Sequence, residues 1–228
     1  MSVIIALISN RAGIVTSDGR IFGPALLDGG KVTRLASIES ESFDKTFSLD
    51  RGKVIGALSG LIRFSGKTLS EHVSDVAAPL LCRSGDLQAL TNEIEKEVSQ
   101  RLAHIDTHEV IFSCRKLDLL LVAGMSLGKA DMRIVSIRFY PKDNVIASES
   151  ECVAAYQKVQ YYARGEDKAV AAARGILAKN HAPNSDTAFL KKLATQTIRV
   201  AIKTSGTHEH GSALACGGQI FCKSTFHK

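Results

Sequence analysis

The chain of 228 residues contains no tryptophan, and aromatic residues make up only 6% of it. Its 29 basic and 23 acidic residues leave a formal net charge of +6. The basic residues are nevertheless scattered along the chain, as at Arg51 and Lys53, and are not clustered with aromatic residues. Surfaces that bind nucleic acids usually combine a basic patch with stacking side chains. We therefore expect no nucleic-acid partner.

Long hydrophobic runs are also missing. No segment approaches the roughly 18 to 20 apolar residues that a membrane-spanning helix needs. The N-terminus has no basic region followed by a hydrophobic stretch and a cleavage site, which is the pattern of a secretion signal. We therefore expect a cytoplasmic protein without a membrane partner.

Cysteine and cofactor motifs are equally sparse. The five cysteines are odd in number and have no C-x-x-C spacing, which indicates reduced thiols and no disulfide framework. His208 and His210 with Cys216 have the chemistry of a zinc site, but a solvated loop is the favoured interpretation. There is no Gly-rich phosphate loop, dinucleotide fingerprint or G-x-S-x-G motif. The sequence therefore predicts no cofactor and no metal.

The order of short apolar runs predicts blocks of strands alternating with blocks of helices. With 45% hydrophobic residues, the chain can form one sizeable core, and we expect a single domain over residues 1–228. Alternating and β-branched runs predict strands at Ser2 to Ile8, Gly13 to Thr16, Lys31 to Leu35, Lys45 to Leu49, Lys53 to Leu58, Leu117 to Met125, Met132 to Tyr140, Asn144 to Ala147 and Gly218 to Lys223.

Helical spacing of apolar residues separates these strand blocks. Helices are predicted at Leu61 to Leu80, Leu87 to Ile105, Val153 to Arg164, Lys168 to Lys179 and Ser185 to Thr204. Strands and helices that occur in separate blocks are typical of an α+β protein in which two sheets stack and helices cover their outer faces.

Four sequence motifs occur in an order that resembles the β-type subunits of the proteasome. They are M-S-V-I-I-A-L at the N-terminus, G-I-V-T-S-D-G-R, G-K-V, and I-G-A-L-S-G ahead of an amphipathic helix. The resemblance is nearest to the bacterial proteasome-like peptidases, whose only leader is the initiator Met. It implies a four-layer αββα sandwich of the N-terminal-nucleophile hydrolase type.

The resemblance also implies an activity and a set of partners. It implies a threonine-type peptidase that cuts peptides or unfolded proteins inside stacked rings of identical subunits, served by an ATP-dependent unfoldase. Removal of Met1 would give Ser2 a free α-amine beside its hydroxyl. An α-amine has a pKa of roughly 7.7 to 8.0, so it can accept the hydroxyl proton near neutral pH. Ser2 stands where the family usually has Thr.

The remaining site residues follow from the same resemblance. Asp18 and Lys31 match the acid and the lysine that form an ion pair beside the nucleophile. Gly60 matches the glycine whose N–H stabilises the oxyanion, and Ser148 matches a serine near the nucleophile's amine. Substrate-binding positions are expected at Arg20, Ile21, Leu58 and Ile62, and the apolar ones would favour apolar substrate side chains.

One segment departs from the family pattern. The loop T-S-G-T-H-E-H-G has no clean equivalent of the Asp and Ser with which the family orients the amine, and Thr207, His208 and Glu209 are the nearest candidates. This departure motivates a second hypothesis, a non-catalytic ring or scaffold protein. A small-molecule amidase with the same kind of nucleophile is a third.

Overall fold

The computed structural model describes residues 2–23, 26–28, 31–60, 63–64, 66–81, 87–103, 116–125, 131–142, 145–155, 159–179, 185–207 and 213–226. The described strands are β1 (Val3–Ile8), β2 (Ala12–Asp18), β3 (Ile21–Phe22), β4 (Leu26–Asp28), β5 (Lys31–Arg34), β6 (Ile38–Ser40), β7 (Thr46–Leu49), β8 (Val54–Ser59), β9 (Arg63–Phe64), β10 (Lys67–Thr68), β11 (Leu117–Met125), β12 (Asp131–Lys142), β13 (Val145–Ala154), β14 (Gln160–Gly165) and β15 (Ile220–Phe226). The described α-helices are α1 (Leu69–Leu81), α2 (Leu87–Ala103), α3 (Asp167–Leu177) and α4 (Thr187–Thr204). A short 3-10 turn at Asp50–Gly52 joins β7 to β8.

Two antiparallel sheets form the centre of the molecule. The first has the strand order β14-β1-β2-β15, and the second has the order β13-β12-β11-β8-β7. Apolar side chains on one face of β1 and β2, such as Ile4 and Val15, pack against Ile55, Leu120 and Ile134 of the second sheet. The two sheets are therefore joined by a shared hydrophobic core.

Each sheet also packs against its own pair of helices. Alternate residues of β1 and β2, such as Ile5 and Ile14, pack against α3 and α4. On the second sheet, Leu58 and Leu119 pack against α1 and α2. The helices begin where the sequence provides caps: the side chains of Glu166 and Asp186 accept the N–H groups of Ala169 and Phe189.

The predicted sandwich of the N-terminal-nucleophile hydrolase type requires correction. The described chain divides among five antiparallel sheets, three of them two-stranded, and the structure does not show an N-terminal-nucleophile hydrolase αββα sandwich. The ribbons β3–β6, β4–β5 and β9–β10 belong to neither large sheet. Their strands have only two to four residues each.

Several predicted elements are confirmed and others are wrong. The hairpin of β1 and β2, the helix α2 and the closing strand β15 are confirmed. The helix predicted at Val153 to Arg164 is wrong, because β13 continues to Ala154 and β14 pairs with β1 from Gln160. The first helix begins at Leu69, not at Leu61, since the β9–β10 ribbon precedes it. Among the described helices, none is both long enough and apolar enough to cross a membrane.

Candidate active site

Asp18, the last residue of β2, is the centre of a buried polar cluster at the N-terminal end of β1. Its Oδ1 accepts the N–H of Val3 at 3.0 Å and Nζ of Lys45 at 3.0 Å. Its Oδ2 accepts the N–H of Gly217 at 3.0 Å. A buried carboxylate costs little when charged and backbone donors satisfy its oxygens. The carboxylate is therefore fixed directly beside the residue that follows Ser2.

Lys45 lies just before β7 and points into the core. Its Nζ donates to the carbonyl of Arg20 at 2.6 Å as well as to Asp18, and the side chains of both members of the ion pair are 0% exposed. Burial lowers the pKa of Lys45, while the charge of Asp18 and its hydrogen bond to the lysine act in the opposite direction. The site thus contains a lysine that gives up its proton more readily than a surface lysine.

The sequence predicted Lys31 as the partner of Asp18, and the structure shows Lys45 in that contact. Lys31 begins β5 and lies opposite Asp28 of β4. Its side chain is outside the described part of the structure. Between Asp18 and Lys45 the chain forms the β3–β6 and β4–β5 ribbons, so the two residues are distant in sequence. One signal in the sequence could have indicated Lys45: it shares the alternation of Phe47 and Leu49, which face the core.

Ser2 is held by backbone contacts on both sides. It is 2% exposed and directly precedes β1. Its carbonyl accepts the N–H of Glu166 at 2.8 Å, while the next N–H, that of Val3, is bonded to Asp18. Gly165 has φ +119°, and a Cβ there would lie 1.9 Å from the carbonyl oxygen of Ser2. The chain can approach Ser2 this closely only because residue 165 is glycine. Met1 lies outside the described residues.

Arg20 connects the cluster to the residues that precede β15, from Leu214 to Gly217. Its Nε lies 3.0 Å from both carboxylate oxygens of Glu41, and its Nη1 donates to the carbonyl of Leu214 at 2.8 Å. The N–H groups of Gly19 and Arg20 donate to the carbonyl of Gly217. These contacts position the Gly217 N–H toward Asp18. Arg20 was predicted to bind substrate, but in the structure its guanidinium contacts this chain's own groups.

Cys216 is a buried neighbour that the sequence did not assign to the site. Burial raises the pKa of its thiol strongly; the charge of Asp18 adds to the increase, and Lys45 opposes it. The thiol is therefore protonated at neutral pH. Only its position before the turn glycines Gly217 and Gly218 could have suggested it. The described residues include no group of three His, Cys, Asp or Glu side chains arranged to hold a metal ion. His208 and His210 lie outside the described part.

The other predicted residues belong to several different elements of the fold. Gly60 follows β8 and has φ +103°, so it adopts a backbone conformation that glycine favours. Ser148 lies opposite Phe139 in β13, an edge strand, and none of the hydrogen bonds in the described chain joins it to Ser2 or Asp18. Leu58, predicted to line a substrate pocket, is 1% exposed in the core beneath α1.

Five further candidates complete the set. Ile21 lies opposite Ser40 in the β3–β6 ribbon and is partly exposed. Thr207 is exposed and forms an isolated bridge with Leu214. Ile62, His208 and Glu209 lie outside the described residues. The described structure therefore brings together Ser2, Asp18 and two residues that the sequence did not assign, Lys45 and Cys216.

Two solved structures resemble this chain over almost its whole length. One, described as the helical assembly of the Anbu complex from Pseudomonas aeruginosa, has a TM-score of 0.60 and 13% identity, covering 99% of this chain and 82% of that chain. The other, Anbu (ancestral beta-subunit) from Yersinia bercovieri, has a TM-score of 0.59 and 13% identity, covering 98% of this chain and 81% of that chain. No family model and no curated protein matches the chain.

These comparisons correct the resemblance predicted from the sequence. The structural neighbours are Anbu proteins, a distinct family with a proteasome-like fold, so the assignment to the proteasome β-type or bacterial proteasome-like peptidase family is wrong. An identity of 13% shows a shared fold alone. What the chain does must be argued from its own site.

Proposed function

We propose that this chain is a peptidase that hydrolyses peptide bonds with Ser2 as an N-terminal nucleophile, exposed by removal of Met1. The observation that carries the proposal is the fully buried Asp18–Lys45 ion pair, whose shared oxygen Oδ1 also accepts the N–H of Val3. An ion pair with a purely structural role could lie anywhere in the core. This one fixes the backbone immediately after Ser2.

The proposed chemistry needs only groups of this chain and water. The α-amine of Ser2 takes the hydroxyl proton while Oγ attacks the carbonyl carbon of the substrate. The C–N bond then breaks, the leaving amine takes the proton, and an ester on Ser2 remains. Water attacks this ester with the α-amine again as base, which frees the acid product and restores the hydroxyl. The N–H of Gly60 is proposed to stabilise the oxyanion.

Lys45 has an electrostatic role in this scheme. Its ammonium is proposed to favour development of negative charge on the Ser2 hydroxyl. Asp18 keeps Lys45 in place against the cost of its burial. The two residues are therefore proposed to act together.

We further propose that the chain works as a homo-oligomer. One of its structural neighbours is described as a helical assembly, which supports self-association of the common fold. An enclosed assembly would admit peptides or unfolded proteins, and an ATP-dependent unfoldase would then deliver folded ones. The proposal covers helical and ring-shaped assemblies alike.

A second candidate is a non-catalytic subunit of such an assembly. The observation that favours it is the tight enclosure of Ser2, which is 2% exposed and touched by the chain at Gly165 and Glu166. A third, an amidase for small molecules, shares the proposed chemistry and differs in the substrate.

Hydrolysis assays on purified protein separate the three candidates. Wild type, Ser2→Ala and Ser2→Thr are assayed on fluorogenic peptides with apolar side chains, on a small amide and on an unfolded protein. We expect turnover of peptides and unfolded protein by wild type and Ser2→Thr, and none by Ser2→Ala. Turnover of the small amide alone would favour the amidase. If no substrate is cut by wild type or Ser2→Thr, the peptidase proposal is wrong and the assembly subunit replaces it.

A further inference from the structure

The two helix pairs of this molecule carry opposite charge. Helices α3 and α4 contain six basic residues and one acidic residue, Asp167. Helices α1 and α2 contain five acidic residues and two basic ones. The basic residues of α3 and α4 are Lys168, Arg174, Lys191, Lys192, Arg199 and Lys203. The acidic residues of α1 and α2 are Glu71, Asp75, Glu93, Glu95 and Glu97.

The basic charges of α3 and α4 are exposed and lack internal partners in the described structure. All six side chains belong to exposed residues, and none forms an ion pair with another described residue. Arg199 and Lys203 are one helical turn apart on α4, where like charges lower helix stability. A helix that keeps such a pair gains from an anionic partner outside it.

The acidic pair of helices has a matching feature. Glu93 and Glu97 are also one turn apart on α2, and both are partly exposed. Neither forms an ion pair with another described residue. Asp75 differs, because Lys67 and Arg101 already neutralise it. Glu93 and Glu97 are therefore the acidic charges that a cationic partner would meet.

One molecule cannot bring its own two charged faces together. Helices α1 and α2 pack on the second sheet, α3 and α4 pack on the first, and the other faces of these sheets pack against each other. The acidic and basic faces therefore point away from one another. A second copy can present its acidic face to the basic face of the first, and the same contact can repeat along a series of copies.

Exposed apolar side chains accompany the basic charges on α4. Phe189 is 39% exposed and Val200 is 40% exposed, and both are large hydrophobic residues on the helix that carries Arg199 and Lys203. Interfaces between protein chains typically combine such apolar contacts with charged residues around them. This composition suits a protein partner better than a polyanion, which would offer little apolar surface.

We propose that copies of this chain associate head to tail, with the basic face of α3 and α4 on one copy docking against the acidic face of α1 and α2 on the next. The inference rests on the self-association proposed above and does not require catalysis by Ser2. Charge complementarity sets the orientation and speeds the encounter, and Phe189 and Val200 supply apolar contact.

Sedimentation of the purified protein and of two charge-reversed variants tests this surface. Arg199→Glu/Lys203→Glu reverses the basic face, and Glu93→Lys/Glu97→Lys reverses the acidic face. Lys53→Glu/Lys142→Glu is the matched control, because both lysines are exposed and lie off the four helices. Association is measured at about 0.1 M and about 1 M NaCl, between which the Debye length falls from about 10 Å to about 3 Å.

We expect wild type and the control to associate at low salt and to lose at least about tenfold in association constant at high salt, as charge-driven contacts do. Each reversed variant alone should lose association by about tenfold or more, and an equimolar mixture of the two should regain it, since both contacts become complementary again.

Three results would overturn the inference. If wild type is monomeric at low salt, the proposed self-association is wrong, whatever the peptidase assays show. If both charge-reversed variants still assemble, self-association stands but the contact between the helix faces is wrong. Loss of association in the Arg199→Glu/Lys203→Glu variant alone, with no rescue by the other variant, would mean that the basic face binds a different anion, such as a nucleic acid or an anionic lipid surface.

Discussion

Asp18 and Lys45 form an ion pair with an Oδ1–Nζ distance of 3.0 Å, and neither side chain is accessible to solvent. The pair connects three distant parts of the chain, because Asp18 also accepts the N–H of Val3 and that of Gly217. A buried pair of this kind is not in itself strong evidence of stabilisation. Its location beside Ser2 is what gives it a proposed function.

Removing one member of this pair should cost much more than removing a surface charge. Lys45→Met should lower the free energy of unfolding by about 3 to 5 kcal/mol, because it leaves the Asp18 carboxylate buried without its cation. Lys53→Ala, which removes an exposed lysine paired with Asp50, should cost less than about 0.5 kcal/mol. Urea unfolding monitored by circular dichroism measures both. Equal costs would contradict the importance assigned to the pair.

The double variant provides a sharper test. Asp18→Asn/Lys45→Met should lower the free energy of unfolding by clearly less than the sum of the two single variants, since no unpaired buried charge remains in it.

Lys31→Ala, at the lysine that the sequence predicted, leaves every described contact of Asp18 in place and should retain activity. Loss of activity in Lys31→Ala with retention in Lys45→Met would restore the sequence-based assignment.

Gly165 should be intolerant of any side chain. Gly165→Ala combines φ +119° with a Cβ that would lie 1.9 Å from the Ser2 carbonyl oxygen, so we expect a loss of at least about 2 kcal/mol in unfolding free energy. Gly175→Ala is the control: it lies within α3, its Cβ would meet no atom within 4 Å, and it should stabilise the protein by about 0.5 to 1 kcal/mol. Similar effects at both glycines would contradict the described packing around Ser2.

A variant at Arg20 tests whether this residue has a structural role or a role in substrate binding. Its guanidinium bonds with Glu41 and with the carbonyls of Leu214 and Cys216. Arg20→Ala should therefore lower the unfolding free energy by about 1 to 3 kcal/mol, and Glu41→Gln should lower it by a smaller amount. A variant of unchanged stability with a raised KM for peptides would instead support the substrate-binding role predicted from the sequence.

Much of the sheet framework could be predicted from the sequence, because β1, β2 and β11 are short, mostly apolar runs, which are typical of strands buried on both faces. The helix predicted at Val153 to Arg164 failed since Gln160–Gly165 pairs with β1, a contact distant in sequence that local spacing does not reveal. Asp18 was predicted from its motif, and the structure places it against the N–H of Val3 and Nζ of Lys45. The contact of Lys45 with Asp18 could not be predicted from local spacing, because 27 residues separate the two and the β3–β6 and β4–β5 ribbons lie between them.

Ionisation of Cys216 should make stability fall at high pH. Burial raises the pKa of this thiol above its ordinary value of 9.0, so the folded state keeps the proton where the unfolded state releases it. The contribution is complete below pH 9 and decreases as the pH rises above it, by about 1.4 kcal/mol per unit. Lys45 has the opposite effect. Because burial lowers its pKa, its deprotonation makes the free energy of unfolding rise with pH until the ordinary pKa of 10.5 is reached.

Comparing wild type with Cys216→Ala isolates the contribution of the thiol. The difference in unfolding free energy between the two proteins, measured in urea with a reductant present, should change in favour of the variant between pH 9 and pH 10. A difference that stays constant over this range would mean that the thiol ionises equally well in the folded protein.

The central claim is that Ser2 is a working N-terminal nucleophile, and intact mass spectrometry tests it most directly. Purified protein is weighed before and after exposure to a peptide epoxyketone, which reacts with a free α-amine and its adjacent hydroxyl together. We predict a mass that lacks Met1 and the addition of one inhibitor per chain in wild type, with no addition in Ser2→Ala. Retention of Met1, or a wild type that stays unmodified, would contradict the claim and favour a non-catalytic assembly subunit.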